Sequence, residues 1–191
     1  MKILVYGINY YPELTGIGKY TAEMCDWFAK NGHNVEVITG MPFYPAWKMD
    51  DKYKGKLFRT EIINKVKVRR SILYVPANVT TKNRIFHELS FLFTSFFHWL
   101  KSFFTRYDCV ITICPPLSIG VLPLIYQMLH PKTPFIYHIQ DLQVDAAKKL
   151  NLIKQNNLLN FLSKVEKFIL KKATLVTSIS DGMKKISWKK T

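Results

Sequence analysis

A strand, a helix and a second strand follow one another within about the first 38 residues, and no other feature of the chain restricts its fold so tightly. Residues 2–8 (KILVYGI) and 34–39 (NVEVIT) are short β-branched runs bounded by turn residues. Between them, GKYTAEMCDWFAKNGH carries Tyr20, Met24, Trp27 and Phe28 at the spacing of one helical face. It ends at Gly32, where a helix-terminating glycine belongs. Two strands joined through a helix over so short a span form a βαβ unit, which demands a parallel sheet and a right-handed crossover.

The alternation continues. LFRTEIINKVKVRRSIL predicts two strands turned at Asn64–Lys65, and residues 108–113, 134–140 and 174–180 predict three more. Helical segments are expected at 83–105, 117–130 and 156–172, the last with Leu158, Phe161, Leu162, Val165, Phe168 and Ile169 on one face. The expected fold is α/β: a Rossmann-like, doubly wound, mostly parallel sheet with helices on both faces, as one domain over residues 1–191. No internal repeat interrupts it.

Two segments imitate membrane spans. Residues 109–130 carry no charge, but Pro115, Pro116, Gly120 and Pro123 break them into strand, turn and buried helix. In 84–105 the polar residues, from Arg84 and His87 to Lys101 and Ser102, fall within an arc of roughly 160°, with Phe91 intruding. The opposite face holds Ile85, Phe86, Leu89, Phe93, Phe96, Phe97, Leu100 and Phe104 among other apolar residues. Such a helix does not span a bilayer. Its aromatic face is either wedged between the sheet and a neighbouring helix or partly inserted into a lipid interface.

Gly16 and Gly18, in PELTGIGKY, stand where the first strand hands over to the first helix. A helix begins with free N–H groups and a partial positive charge, and glycine lets a phosphate or sugar approach the main chain. The dinucleotide fingerprint would need glycine at 21, which is Thr21, and no acid closes the second strand, so NAD is disfavoured. A tight turn without a ligand accounts for the same two glycines. A second constellation follows the later strands. CPPLSIG (114–120) sets Pro115, Pro116 and Ser118 before a helix; YHIQDLQVDAA (137–147) sets His138, Asp141 and Asp145 at a strand end. Ligands of open α/β sheets bind outside the carboxyl ends of the strands, so these segments and the glycine loop can line one crevice. An acid there can act as base or orient a sugar hydroxyl. His138 reads equally as a structural histidine within a strand, and Asp145 as the start of a helix.

Charge bears on partners. There are 28 basic and 13 acidic residues, net +15, with nine Lys/Arg against three Asp/Glu between Lys48 and Arg70 and eleven against two from Lys148 onward. Such a surplus attracts phosphate on nucleotide, nucleic acid or anionic lipid without choosing among them. Cys25, Cys109 and Cys114 have no metal-ligand spacing and read as buried free thiols of a reducing compartment; no metal site is expected. Too few apolar residues follow Lys2 before Gly7 for a secretory signal.

Four blocks in order, the first running unbroken from YGINYYPELTGIGKY to GHNVEVITGMPFYPAW and the others being ICPPLSIG, IQDLQVDAA and LVTSISDGM, resemble the N-terminal half of family 4 glycosyltransferases. The likeness is to the colanic-acid, capsule and O-antigen biosynthesis subgroup. It implies a GT-B fold, retaining sugar transfer without metal or cofactor, and a GDP- or UDP-linked sugar donor. The acceptor would be a polyprenyl-linked saccharide met at the cytoplasmic face of the inner membrane. Carried over, Gly16, Ile17 and Gly18 would approach the donor phosphates and sugar, Asp141 would be the acid of the QDL block, and His138, Pro116 and Ser118 would lie on the acceptor side. His33 matches a turn position of the family, structural in role. The family often has Trp–Pro after that acid, where this chain has Gln143–Val144. It also holds the nucleotide mainly with a C-terminal domain bearing two glutamates separated by seven residues, and no such block occurs here. The expectation is a chain that needs a missing C-terminal domain or second subunit, is inactive alone, and is open to self-association through its cleft face. A basic, non-catalytic module for membrane or nucleic acid is the alternative, with the aromatics of FYPAWKMDDKYKGKLFR as base-stacking candidates. No RNA-binding or helix-turn-helix signature supports nucleic acid.

Overall fold

The computed structural model, which describes residues 1–141 and 156–188, is organised around β1 (Lys2–Tyr6). Its side chains alternate across the sheet: Ile3 and Val5 face one side, Leu4 and Tyr6 the other, and all four are buried. The other strands are β2 (Asn34–Gly40), β3 (Phe58–Ile63), β4 (Val66–Ser71), β5 (Cys109–Cys114), β6 (Phe135–Ile139) and β7 (Leu175–Ser178). They form one seven-stranded sheet in the order β3-β4-β2-β1-β5-β6-β7. Of these strands, β3 and β4 pair antiparallel and the others parallel. The β3–β4 turn places Asn64 and Lys65 at φ 50° and 68°, the left-handed geometry a two-residue hairpin requires. The doubly wound α/β sheet expected from the sequence is therefore present.

Helix α1 (Gly16–Lys30) covers the Ile3–Val5 face, while α2 (Thr81–Phe103), α3 (Val121–Leu129) and α4 (Asn156–Lys172) cover the Leu4–Tyr6 face. A short helix, α5 (Asp181–Trp188), follows β7. The apolar faces expected for α1 and α4 need correction. In α1 the buried residues are Gly18, Thr21, Ala22, Cys25 and Ala29, with Tyr20 and Trp27 exposed. Small side chains let this helix sit close on the strands, which leaves the large rings at the rim. In α4, Ile169 and Leu170 are buried, Leu162 and Val165 pack partly against the core, and Phe161 and Phe168 are exposed. The side chain of Leu158 lies outside those described.

Helix α2 departs furthest from expectation, because its polar arc faces inward. His87, Phe91, Ser95, Trp99 and Ser102 are buried, whereas Phe86, Leu89, Phe93, Phe97 and Leu100 are exposed. The cause is the chain it covers. The segment after β4 runs beneath α2 outside the sheet, so its backbone groups need partners. Thr94 donates to the Ile72 carbonyl (2.6 Å), Ser90 accepts from the Tyr74 amide (2.9 Å) and His87 binds the Tyr74 carbonyl. His98 reaches the Arg70 carbonyl (3.0 Å), and Ser102 accepts from buried Arg69 (2.9 Å), which also pairs with Glu36 (3.1 Å). Ser95 shares a 2.6 Å hydrogen bond with the Tyr6 hydroxyl, whose ring contacts Phe91 and Trp99. The wedged placement of the aromatic face is thus overturned. Among the described residues no helix is long and apolar enough to cross a membrane.

Candidate functional site

Winding reverses between β1 and β5: the chain builds β2 and β4 on one side of β1, crosses through α2, and builds β5, β6 and β7 on the other. At such a switch point the connections leaving adjacent strand ends diverge and open a crevice. A cavity of about 260 Å³ lies there, floored by Ile8 and Asn9 after β1 and by Pro115 and Pro116 after β5.

The start of α1 forms one rim through Gly16 and Ile17. Thr15 precedes the helix but makes no side-chain cap hydrogen bond, and the first turn has no acid, so the helix's own side chains leave its leading amides uncapped. Gly16 has φ +59°, and a Cβ added there would meet nothing nearer than the Tyr44 ring at 4.0 Å. Gly18 answers to a different constraint. It is buried and does not line the cavity; a Cβ there would meet the Glu13 side chain at 2.9 Å.

Glu13 is 4% exposed and acts as a clamp. One carboxylate oxygen accepts from the Phe43 and Tyr44 amides (3.1 and 3.0 Å), the other from Asn9 (2.8 Å). It ties the loop after β2 to the glycine turn, and sequence reasoning missed it. Burial raises its pKa above the ordinary carboxyl value, against the hydrogen bonds that favour the charge.

Asp141, just past β6, enters the same cavity from the side of β5 and β6. The juxtaposition expected from the sequence, with the glycine turn and Asp141 on one groove, is therefore met by Gly16, Ile17, Pro116 and Asp141. Ser118 and His138 are not among the lining residues. The Ser118 hydroxyl is buried without a hydrogen-bond partner among the described residues, and His138 bonds through Nδ1 to Thr177 (2.8 Å) within the sheet. Burial lowers the His138 pKa. Asp145 and Gln143–Val144 lie outside the described residues.

The remaining wall was not assigned to this crevice from the sequence, although its aromatics were noted as stacking candidates. Arg84, His87 and Glu88 reach the cavity from the first turns of α2, and Phe43, Tyr44 and Trp47 from the loop after β2. The loop residues follow no periodicity, so only their place after a strand end pointed to them. Chemically, the crevice offers free amides and one guanidinium for anions, a carboxylate opposite, and an aromatic wall. Among the described residues, no three His, Cys, Asp or Glu side chains gather as a metal site. The cysteines are buried and unpaired, with burial pushing Cys109 to about 11 and both Cys25 and Cys114 to about 12, so they are poor nucleophiles.

Two likenesses to known proteins bear on this crevice. A glycosyl transferase 4-like domain matches residues 15–186. WcaI of Escherichia coli (strain K12), named as a putative colanic acid biosynthesis glycosyl transferase, is 42% identical over 153 residues, covering 80% of this chain. The chain spans 37% of that relative's length. On the domain match, on the identity, and on a doubly wound sheet with its crevice at the switch point, the chain belongs to the glycosyl transferase 4-like family.

Proposed function

We propose that this chain forms the acceptor side of a retaining glycosyl-transfer site that moves a sugar from a GDP- or UDP-linked donor to a lipid-linked saccharide in cell-surface polysaccharide synthesis. The observation that carries the reading is the convergence of the uncapped start of α1 and Asp141 on one crevice. In this reading the amides of Gly16 and Ile17 face the donor phosphates, and Asp141 orients or deprotonates a sugar hydroxyl. No cofactor takes part; the nucleotide sugar is substrate.

The outward aromatic face of α2 and the basic surplus support an acceptor held in a membrane at its cytoplasmic face, with the protein peripheral to it. In this reading a further domain or subunit supplies most of the nucleotide contacts, a division of labour that the resemblance to family 4 glycosyltransferases implies. Alone, the chain is proposed to transfer no sugar and to associate through its open cleft.

The test joins this chain to the C-terminal part of the Escherichia coli relative and supplies labelled GDP- and UDP-sugars with a polyprenyl-diphosphate-linked saccharide. Transfer with retained anomeric configuration is expected from the fusion, with a loss of about 100-fold or more in Asp141→Asn. A folded, donor-binding fusion that transfers nothing overturns the transferase reading, and turnover by the unfused chain overturns the division of labour.

A further inference from the structure

We propose that Trp47, Phe43 and His87 form a pyranose subsite, in which one sugar ring lies against Trp47 and donates a hydroxyl hydrogen bond to Nε2 of His87. The proposal rests on the glycosyl-transfer reading above and names where the acceptor saccharide is held.

Three observations carry it. Trp47 has φ +50°, a left-handed conformation that bulky residues rarely adopt and that persists where surrounding structure enforces it. The enforcement is visible: Glu13 pins the Phe43 and Tyr44 amides, and the Lys48 amide donates to the Phe43 carbonyl (3.2 Å). The three rings also contact one another without parallel stacking. Phe43 lies 4.5 Å from His87 and 5.4 Å from Trp47, and Trp47 lies 5.3 Å from His87, with interplanar angles of 66°, 59° and 56°. All three line the cavity and Trp47 stays only partly buried. The electron-rich face of an indole attracts the axial C–H groups on the less polar face of a pyranose.

His87 supplies direction. It is 3% exposed, and its Nδ1 meets the Tyr74 carbonyl, which can only accept, so Nδ1 carries the proton. Nε2 is then a lone-pair acceptor, and it has no partner among the described residues. The groups around the ring are Arg84 and Glu88 from its own helix, the Tyr74 carbonyl beneath, the uncharged Phe43 and Trp47 rings, and Asp141 across the cavity. Burial first, and Arg84 after it, hold the imidazole below its usual pKa, so it is neutral near pH 7. A neutral acceptor beside an aromatic face matches a sugar hydroxyl better than a phosphate. The volume of about 260 Å³ suits a single sugar ring and its linkage.

The test is saturation-transfer NMR on the full chain with methyl glucoside, galactoside and mannoside, and with uridine to represent a nucleobase. At least one glycoside is expected to receive saturation on its axial C–H protons, more strongly near pH 8 than near pH 5. Trp47→Gly removes the ring while relieving the backbone, so it should keep its melting temperature and weaken binding by about tenfold or more. Trp47→Phe should stay within about threefold of the parent. His87→Asn keeps a donor for the Tyr74 carbonyl, loses Nε2, and should also lose about tenfold. Saturation of uridine alone, of none of the probes, or of glycosides equally in Trp47→Gly and His87→Asn overturns the subsite. Transfer by the fusion with glycoside affinity unmoved by both variants removes the subsite and leaves the transferase reading standing; the reverse pattern removes the transferase reading alone.

Discussion

Gly16 and Gly18 stand two positions apart and are glycine for unrelated reasons. Gly16 is held at φ +59° in open space, so Gly16→Ala meets only backbone strain, a cost of about 1–2 kcal/mol in chemical denaturation. Gly18→Ala keeps an ordinary helical backbone but drives a methyl into Glu13 at 2.9 Å, and should cost about 1–3 kcal/mol while loosening the Phe43–Tyr44 loop. Glu13 adds a dependence on pH. Its folded pKa lies above the unfolded 4.5, so its contribution to stability is complete below that value and declines as pH rises through the folded one. Glu13→Gln carries no charge at any pH. Measured by urea unfolding, it should gain on the parent between about pH 4 and pH 7, and a flat difference across that window would refute a net upward shift. The places of Gly16 and Asp141 on one crevice were legible because chain position relative to a strand end is a local matter; Gly18, expected beside them, lies outside the cavity against Glu13. Glu13 was not, because its partners are the amides of Phe43 and Tyr44, some thirty residues away, and no local pattern encodes that meeting.

At the scale of elements, α2 separates what periodicity reveals from what it conceals. The sequence located the helix and separated most of its two faces, but Trp99, Leu92 and Phe103, expected on the apolar face, turn toward the core with the polar residues. The inference that the apolar face turns inward rests on a core that wants only hydrocarbon. Here the chain from Arg70 to Tyr74 needs hydrogen-bond partners, and the polar face supplies them. The same logic gives opposite mutational outcomes on one helix. Trp99→Ala empties a fully buried site and should cost about 3–5 kcal/mol. The double variant Phe93→Ser/Phe97→Ser alters exposed positions and should keep stability within about 1 kcal/mol, allowing for the contact of Phe97 with Phe58. In sedimentation with anionic liposomes the parent should bind at low ionic strength and release with added salt, while the double variant fails to bind. Equal binding by both would take α2 out of the membrane reading.

For the molecule as a whole, the parallel, doubly wound character followed from the βαβ rule and its repetition, whereas the strand order, and with it the position of the crevice between β1 and β5, came only with the fold. The charge surplus left the partner open. The aromatics between Phe43 and Arg59, legible as a stacking stripe, divide on folding: Phe43 and Tyr53 go inside, and Tyr53 packs against the guanidinium of buried Arg70. A gel-shift titration with single-stranded oligonucleotides is expected to show only weak binding that vanishes as salt rises, without preference among sequences.

The inward polar face of α2 also has a consequence in time. An unfolded chain collapsing in water draws Phe86, Phe93 and Phe97 together first, because nothing yet tells them that their place is outside. Ser90, Thr94 and His98 must meet the chain from Arg70 to Tyr74 with the opposite face of the helix, so a collapse that buries those rings competes with the final structure. Blunting the premature attraction should shorten the detour: Phe93→Ser/Phe97→Ser is expected to refold faster than the parent and to aggregate less on the way.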